Sequence, residues 1–432
     1  MQHTLPANEP CSSFACPTPF DPSDENDMST SEREFSIEVI RALRDAGFEA
    51  LWAGGCVRDS LLDREPGDYD VATNARPEDV KKLFRRTLNV GAAFGVMIVV
   101  GSKQQGQIEV ATFRADGEYL DGRRPNDVTF CSAEEDALRR DFTINGMFYD
   151  PVAEEVIDYV GGKEDLEREI IRAIGDANAR FEEDKLRLLR AVRFAARFDY
   201  AIEDTTSSAV RAMASQLNVV SAERIAQELH KMLQHPNRAI AMRLAREHDL
   251  LQQVFPEVDF ANEAVWQSAV STMDRLADEA GFEIGMAAML QSVNRSKANE
   301  ACRRLKLANK ETDAICWLVD QQNAVRGAES FELARLKRLL AHPLSGELSE
   351  FVAARDVESD SVDAAFCRGY VESTPFDVIN PQPLLTGDDL IAAGFQPGPR
   401  FKGLLDHVRD AQLNCQIETG EQALALARQL SG

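Results

Sequence analysis

The chain has 432 residues, 44% hydrophobic and 28% charged, which is the balance of a folded protein and room for two to four compact domains of ~100–200 residues. Acidic residues outnumber basic ones 72 to 48, a formal net charge of −24 that argues against a nucleic-acid partner unless the balance is reversed locally. The longest strongly apolar run, residues 90–101, falls short of the ~20 residues that span a bilayer, and no basic start with an apolar stretch opens the chain, so it is expected to be neither secreted nor membrane-spanning. Eight cysteines at 11, 16, 56, 131, 302, 316, 367 and 415 show no C-x-x-C spacing and read as reduced thiols of a cytoplasmic protein.

In chain order, residues 1–32 are rich in Pro, Ser, Asp and Glu and poor in aliphatics, which predicts a disordered extension. Phe35, Val39, Ile40 and Leu43 then recur at helical spacing, and Gly47 supplies a stop. Short β-branched or apolar runs follow at 51–53, 69–72, 96–100, 108–113, 128–130 and 156–159, so residues 33–175 are expected to form a mixed α/β domain. Beyond residue 174 long helical patterns take over, at 185–198, 222–233 and 238–251. A neck over 176–240, a helical body over 241–330 and a helical tail over 331–432 complete the expected all-α remainder.

Four constellations carry chemistry. Gly54 and Gly55, followed by Arg58, suit a phosphate: glycines let backbone N–H groups approach it and the arginine neutralises it, although a Gly-Gly pair equally serves as a tight turn. Asp68 and Asp70 flank Tyr69, and on a strand such alternate residues share one face, so two carboxylates side by side demand a cation. Glu109 lies opposite Ile108 and Val110 in its own predicted strand. With the Asp pair it makes three carboxylates able to hold two Mg²⁺ ions for in-line phosphoryl transfer, the alternative being an exposed strand acid.

The third constellation, 139–147, places Arg139 and Arg140 before Phe142, a pattern for a triphosphate clamp or a helix-start ion pair, with Asn145 in reach of a ribose hydroxyl. The fourth runs from Glu183 through Asp184, Arg187, Arg190, Arg193 and Arg197. Spacings of three and four align Asp184 with Arg187, either as a helix salt bridge or as a reader of base edges. A carboxylate accepts from the amino group of cytosine or adenine while a guanidinium donates to the ring nitrogen beside it. Guanine and uracil present the wrong polarity at both places.

Taken in order, Gly-Gly-x-Val-Arg-Asp, Asp-x-Asp, Arg-Arg-Asp-Phe-Thr-x-Asn and Glu-Asp-x-x-Arg-x-x-Arg resemble the motifs of the class II tRNA nucleotidyltransferase and bacterial poly(A) polymerase family, over about 50–235. The resemblance implies a palm-like nucleotidyltransferase head followed by an all-α neck, body and tRNA-holding tail. It implies an enzyme that uses Mg²⁺ to add CMP and AMP from CTP and ATP to the tRNA 3′ end, with poly(A) synthesis or partial CC- or A-addition as rivals. Carried over residue by residue, Asp68 and Asp70 would bind Mg²⁺, and Gly55, Arg58 and Arg140 would hold the nucleotide's phosphates and sugar. Asp184 and Arg187 would form a protein template supported by Arg190 and Arg193. Arg124 and Asp127, in the polar stretch 115–127, are similar to a basic-x-x-Asp element of A-adding and CCA-adding relatives, and are expected to switch the template from C to A. Gln291 and Ser292 stand where some relatives carry a His-Asp metal pair, so that region is expected to have lost its metal.

Overall fold

A computed structural model of the chain describes residues 28–91, 95–116, 128–355, 360–398 and 400–431. The chain packs as two compact units, one of Met1–Arg114, Phe130–Ala133 and Phe148–Ile157, the other of the remaining residues.

The first unit is built on a sheet. Helix α1 (Met28–Asp45) begins ahead of the start that periodicity indicates and buries Val39, Ile40 and Leu43. It ends as expected at Gly47, whose positive φ of 88° lets the N–H groups of Gly47 and Phe48 return to the carbonyls of Arg44 and Leu43 at 2.8 and 3.0 Å. Strands β1 (Ala50–Ala53), β2 (Val71–Thr73), β3 (Thr87–Gly91), β4 (Val96–Val100) and β5 (Gln107–Thr112) join later strands into a seven-stranded sheet. Short β6 (Arg114–Asp116) and β7 (Val128–Phe130) come next in the chain, and β8 (Phe148–Asp150) and β9 (Glu155–Ile157) complete the large sheet in the order β3-β4-β5-β2-β1-β8-β9. Within this sheet β2 and β5 run parallel and the other described pairs are antiparallel, so the sheet is mixed.

Two of these strands escape a pattern reading. β3 is an edge strand that leaves Leu88 and Val90 exposed and so has no inward-outward alternation, and β8 is too short to show a period. Helices α2 (Gly55–Leu61) and α3 (Pro77–Leu83) pack with the sheet, and Trp52 anchors its centre by stacking on Tyr149 and tilting against Tyr69, with its indole N–H donating to Ser36 Oγ at 2.9 Å.

The second unit is helical. Residues Glu134–Met147, inside the stretch expected to belong to the α/β head, pack with it. It contains most of α4 (Ala133–Leu138), then α5 (Gly162–Glu167), α6 (Ala177–Glu183), α7 (Leu186–Phe198), α8 (Asp204–Met213), α9 (Ala222–Leu233) and α10 (Arg238–Glu247). Leu188, Leu189, Val192 and Ala195 of α7 are wholly buried, and α7 packs against both α9 and α10. The helix expected to reach Leu251 stops at Glu247, because Asp249 takes a φ of 58° and breaks it before a separate turn at Leu251–Val254.

Further helices run to Gly420–Ser431; the last three, Gly387–Ala392, Arg400–Leu413 and Gly420–Ser431, bury Leu390, Val408, Ala423 and Ala427 among themselves. No helix among the described residues is long and apolar enough to cross a membrane, and the six described cysteines are free thiols.

Candidate active site

In the sheet unit, β1 leads into Gly54, whose φ of 73° and ψ of −120° are open to glycine and strained for other residues, and α2 starts at Gly55. Arg58 on α2 is almost fully buried. Its guanidinium lies against Asp59 at 2.7 Å, with Nη2 3.7 Å from where a side chain at Gly55 would begin, an ordinary van der Waals distance. Asp68 and Asp70 precede β2 rather than lying in it, which corrects the expected strand start. The Asp70 carbonyl accepts from the Ala53 N–H at 3.1 Å, Tyr69 is buried against Trp52, Asp68 is exposed and Asp70 half-buried.

The parallel register Val71↔Val110 puts Asp70 and Glu109, the residues just before that pair, alongside one another in the chain order of β2 and β5. Desolvation and then the charge of Asp68 push the Glu109 carboxyl above the usual carboxylate range, against a smaller opposing pull from Arg114. The same two causes raise Glu32 of α1, a residue assigned by composition to the extension and missed as a neighbour of the site. Burial first, with the charges of Asp70 and Asp68 adding to it, pushes the Cys56 thiol up to about 12. A shared negative potential therefore surrounds Asp68.

The expected three-carboxylate cage is not formed: among the described residues no group of three or more His, Cys, Asp or Glu is spaced to hold a metal ion. Glu109 sits on a neighbouring strand, near enough to feel Asp68 electrostatically without joining a ligand cluster. Two carboxylates with hard oxygen donors nevertheless suit Mg²⁺, which ordinarily takes one or two from the protein and the remainder from water and substrate phosphates.

In the helical unit a chain of ion pairs holds the remaining candidates. Arg139 and Arg140 both clasp Asp136, at 2.7 and 3.0 Å, so the adjacent arginines form the ion pairs of a helix end, and Arg140 also donates to the Asn145 carbonyl at 3.3 Å. Asn145 lies in a 3₁₀ turn over Thr143–Asn145. Gly162 permits that turn, since a Cβ there would meet the Thr143 carbonyl oxygen at 2.2 Å, and Thr143 Oγ1 donates to Asp165 at 2.7 Å. Asn145 Nδ2 donates to Asp141, whose other oxygen accepts two bonds from Arg190 at 2.8 and 2.6 Å. Desolvation opposes ionisation of Asp141, but the Arg190 guanidinium prevails, helped by Asn145 and Arg187, and holds the carboxyl down to about 2. Arg193 is buried against Glu228, which also lies 3.8 Å from Arg190.

The side chains of Asp184 and Arg187 do not pair with each other, although the Arg187 N–H donates to the Asp184 carbonyl at 3.0 Å. The carboxylate of Asp184 accepts both ends of the Arg224 guanidinium, at 3.0 and 2.6 Å, and the Leu186 N–H at 3.0 Å. Arg187 donates to Glu183 at 2.7 Å and to the carbonyls of Arg180 and Arg139 at 2.9 and 3.0 Å. A carboxylate has about four acceptor positions and a guanidinium five N–H groups. The bonds formed among the described residues leave Asp184 one acceptor on Oδ2, and leave Arg187 its Nε–H and one N–H on Nη2. Arg224 and Glu228, four apart on α9, are thus the partners that sequence reasoning missed. Their spacing puts them on one helix face, but only the packing of α9 on α7 shows what that face meets.

Arg124 and Asp127 lie outside the described residues. Gln291 is buried and structurally engaged, donating to Thr272 Oγ1 at 3.2 Å and accepting from Arg355 at 3.0 Å, while Ser292 is exposed.

Comparison with known proteins extends this picture. A family model described as the poly A polymerase head domain matches residues 50–172, and one described as a probable RNA and SrmB-binding site of polymerase A matches 199–261. The chain is 44% identical to a CCA-adding enzyme of Enterococcus faecalis over 214 residues, 49% of this chain and 52% of that one, so in that alignment it spans about half the relative's length. It is 29% identical to a CCA-adding enzyme of Streptococcus pneumoniae over 426 residues, covering 91% of this chain and 96% of the relative. Among solved structures, the CCA-adding enzyme of Bacillus stearothermophilus in complex with CTP is similar over 93% of this chain and 98% of its own, with 28% identity and a TM-score of 0.76. The Thermotoga maritima CCA-adding enzyme, solved with tRNA, shares the fold at 20% identity and a TM-score of 0.64, over 94% of this chain and 98% of its own. The expected mixed-sheet head and helical remainder is the fold observed, and the chain carries a poly A polymerase head domain over residues 50–172 and is similar to CCA-adding enzymes over nearly its whole length.

Proposed function

We propose that this protein transfers CMP and AMP from CTP and ATP to the 3′ end of tRNA, completing or repairing CCA and releasing pyrophosphate. The observation that carries the reading is the similarity over 98% of the Bacillus stearothermophilus CCA-adding enzyme, joined to a carboxylate and a guanidinium whose remaining bonds match cytosine and adenine. Asp68 and Asp70 would hold Mg²⁺, which would lower the pKa of the attacking hydroxyl and neutralise the triphosphate. The residues of the chain then do the positioning. Arg58 and the Gly54-Gly55 backbone would bind phosphate, Arg140 would serve phosphate and sugar, Asn145 would hold a ribose hydroxyl, and Glu109 would add to the field that draws in a cation. Asp184 accepts from the exocyclic amino group and Arg187 donates to the ring nitrogen. Arg190 and Arg193, through Asp141 and Glu228, keep α7 in register beneath them.

Transfer is tested by supplying tRNAs ending before CCA, after one C and after CC, offering each nucleotide singly and together, and sequencing the products. Complete CCA from CTP and ATP is expected; long homopolymer tails or a halt after CC would replace this reading with one of its rivals. Arg124→Ala and Asp127→Ala, at the proposed C-to-A switch, are expected to retain C addition and lose the terminal A, and unimpaired A addition in both would remove those residues from the mechanism.

A further inference from the structure

Helix α3 carries acids at its start, Glu78 and Asp79, and bases at its end, Lys81 and Lys82, and the chain adds Arg85 and Arg86 before β3 opens. All four bases are exposed, as are Leu83, Leu88 and Val90 beside them. Lys81, Arg85, Arg86, Phe84 and Leu88 line a cleft of about 610 Å³, with Gln107 of β5 on its wall. Lys82 turns to Asp79 at 3.0 Å, and Arg86 gives one N–H to the Gly101 carbonyl at 3.1 Å. Among the described residues no acid lines the cleft or pairs with Lys81 or Arg85, in a chain with a net charge of −24. Among those residues, too, β3 ends the seven-stranded sheet, with β4 as its one neighbour. A cationic, half-apolar strand edge is the kind of surface that receives an extended acidic segment.

We infer that residues 1–27 of this chain, which lie outside the described residues, dock in this cleft and along the outer edge of β3. The segment has five acids, Glu9, Asp21, Asp24, Glu25 and Asp27, and no Lys or Arg, and four of the acids fall in its last seven residues. It is tethered beside the cleft. α1 follows it directly and lies along the turn between β4 and β5, with Glu32 4.0 Å from where a side chain on Gly106 would begin and Glu38 accepting from Gln105 at 3.2 Å. Gln107, the next residue after Gly106, is already cleft wall. Met28 is about one turn, ~6 Å, ahead of Glu32, and seven extended residues span roughly 20 Å. Tethering keeps acids and bases at high effective concentration, so ion pairs that are weak singly act together. The Asp pair pushes the same way: Glu32 feels the charge of Asp68, so further acids ahead of it are repelled towards the cations. Phe14 and Phe20 offer apolar area for Leu88 and Val90, which an RNA backbone would not cover, and prolines at 17, 19 and 22 favour an extended backbone. The inference does not rest on the transferase reading.

The test uses the full-length protein. Carbodiimide coupling, which joins a lysine to a carboxylate in contact with it, is applied to a mixture of isotopically light and heavy protein. It is expected to link residues 21–27 to Lys81 or Lys82 with both ends on chains of one mass. In the variant combining Asp21→Asn, Asp24→Asn, Glu25→Gln and Asp27→Asn, the β3 amides at 87–91 are expected to exchange hydrogen about tenfold faster than in the parent. Lys81→Glu with Arg85→Glu should speed them likewise. Adding Asp21→Lys, Asp24→Lys, Glu25→Lys and Asp27→Lys to that pair should restore the parent's rate, a rescue that only contact between the two sets explains. Links joining light to heavy chains would give the cleft to a second copy. Slow exchange that appears only with added tRNA, equally in parent and neutral variant, would give it to RNA. Equal exchange throughout would leave the cations as a guard against edge-to-edge pairing. Each of these three results overturns the inference.

Discussion

Glu109 in the sheet unit and Asp141 in the helical unit are both carboxylates among the candidate residues, and their protonation is pushed in opposite directions. Around Glu109 the strongest influences are desolvation and another acid, Asp68, and Glu32 is shifted the same way for the same reasons. Asp141 is more deeply buried, yet Arg190 and Asn145 bond it and its carboxyl falls to about 2. Negative potential left uncompensated is a standing invitation to a cation, whereas compensated potential fixes geometry. The sheet unit therefore resembles a place where charge is to be bound, and the helical unit a frame on which a few donors and acceptors are held for recognition.

The comparison breaks most visibly at the Asp pair. Asp68→Asn or Asp70→Asn should lower nucleotide incorporation by about a thousandfold or more, with no loss of thermal stability, since each change relieves repulsion. Turnover near the parent's at saturating Mg²⁺, or a clear drop in Tm, would make the acids structural. In the helical unit the opposite holds: Asp141→Asn should cost about 3 kcal/mol in a denaturant titration, because it leaves Arg190 with a buried partner removed.

The pH dependence of Asp141 has the matching sign. Its folded pKa of about 2 lies below the unfolded value, so its contribution is complete above about pH 4 and is lost as pH falls through about 2. An acid-unfolding curve in which Asp141→Asn narrows the gap to the parent over that range would confirm the linkage.

Recognition should show a smaller effect. Asp184→Ala and Arg187→Ala are expected to cost about 1 to 3 kcal/mol of discrimination for CTP and ATP against UTP and GTP. Arg224→Ala should move in the same direction, because Asp184 then loses two of the three bonds that orient its carboxylate and keeps only the Leu186 N–H. Slow turnover with unchanged base preference in all three would reduce them to scaffolding.

Glu109→Gln sharpens the contrast at its small end. A carboxyl whose folded pKa is raised stabilises only at low pH and loses that contribution as pH rises through the folded value. At neutral pH its removal should therefore raise stability, by less than about 1 kcal/mol because the side chain is exposed and screened by solvent. Equal melting temperatures at low pH and a higher one for the variant at pH 7 are the expected result.

By itself the sequence determined the order of the motifs, the change from mixed α/β to helix near residue 174, and the residue types of the chemistry: paired glycines, paired aspartates, an acid and an arginine three apart. These are local properties, set by spacing along one strand, turn or helix, and local spacing is what a sequence displays. Tertiary structure decided which charges are compensated. Nothing in the spacing of Asp184 and Arg187 reveals that their side chains decline each other for Arg224 and Glu183, because Arg224 arrives from another helix forty residues on. Nor does composition reveal that Glu32, counted with the extension, comes within the field of Asp68, or that residues 134–147 pack with the helices rather than the sheet. Compensation of charge depends on distance in space and on the exclusion of water, and both exist only once the elements have packed.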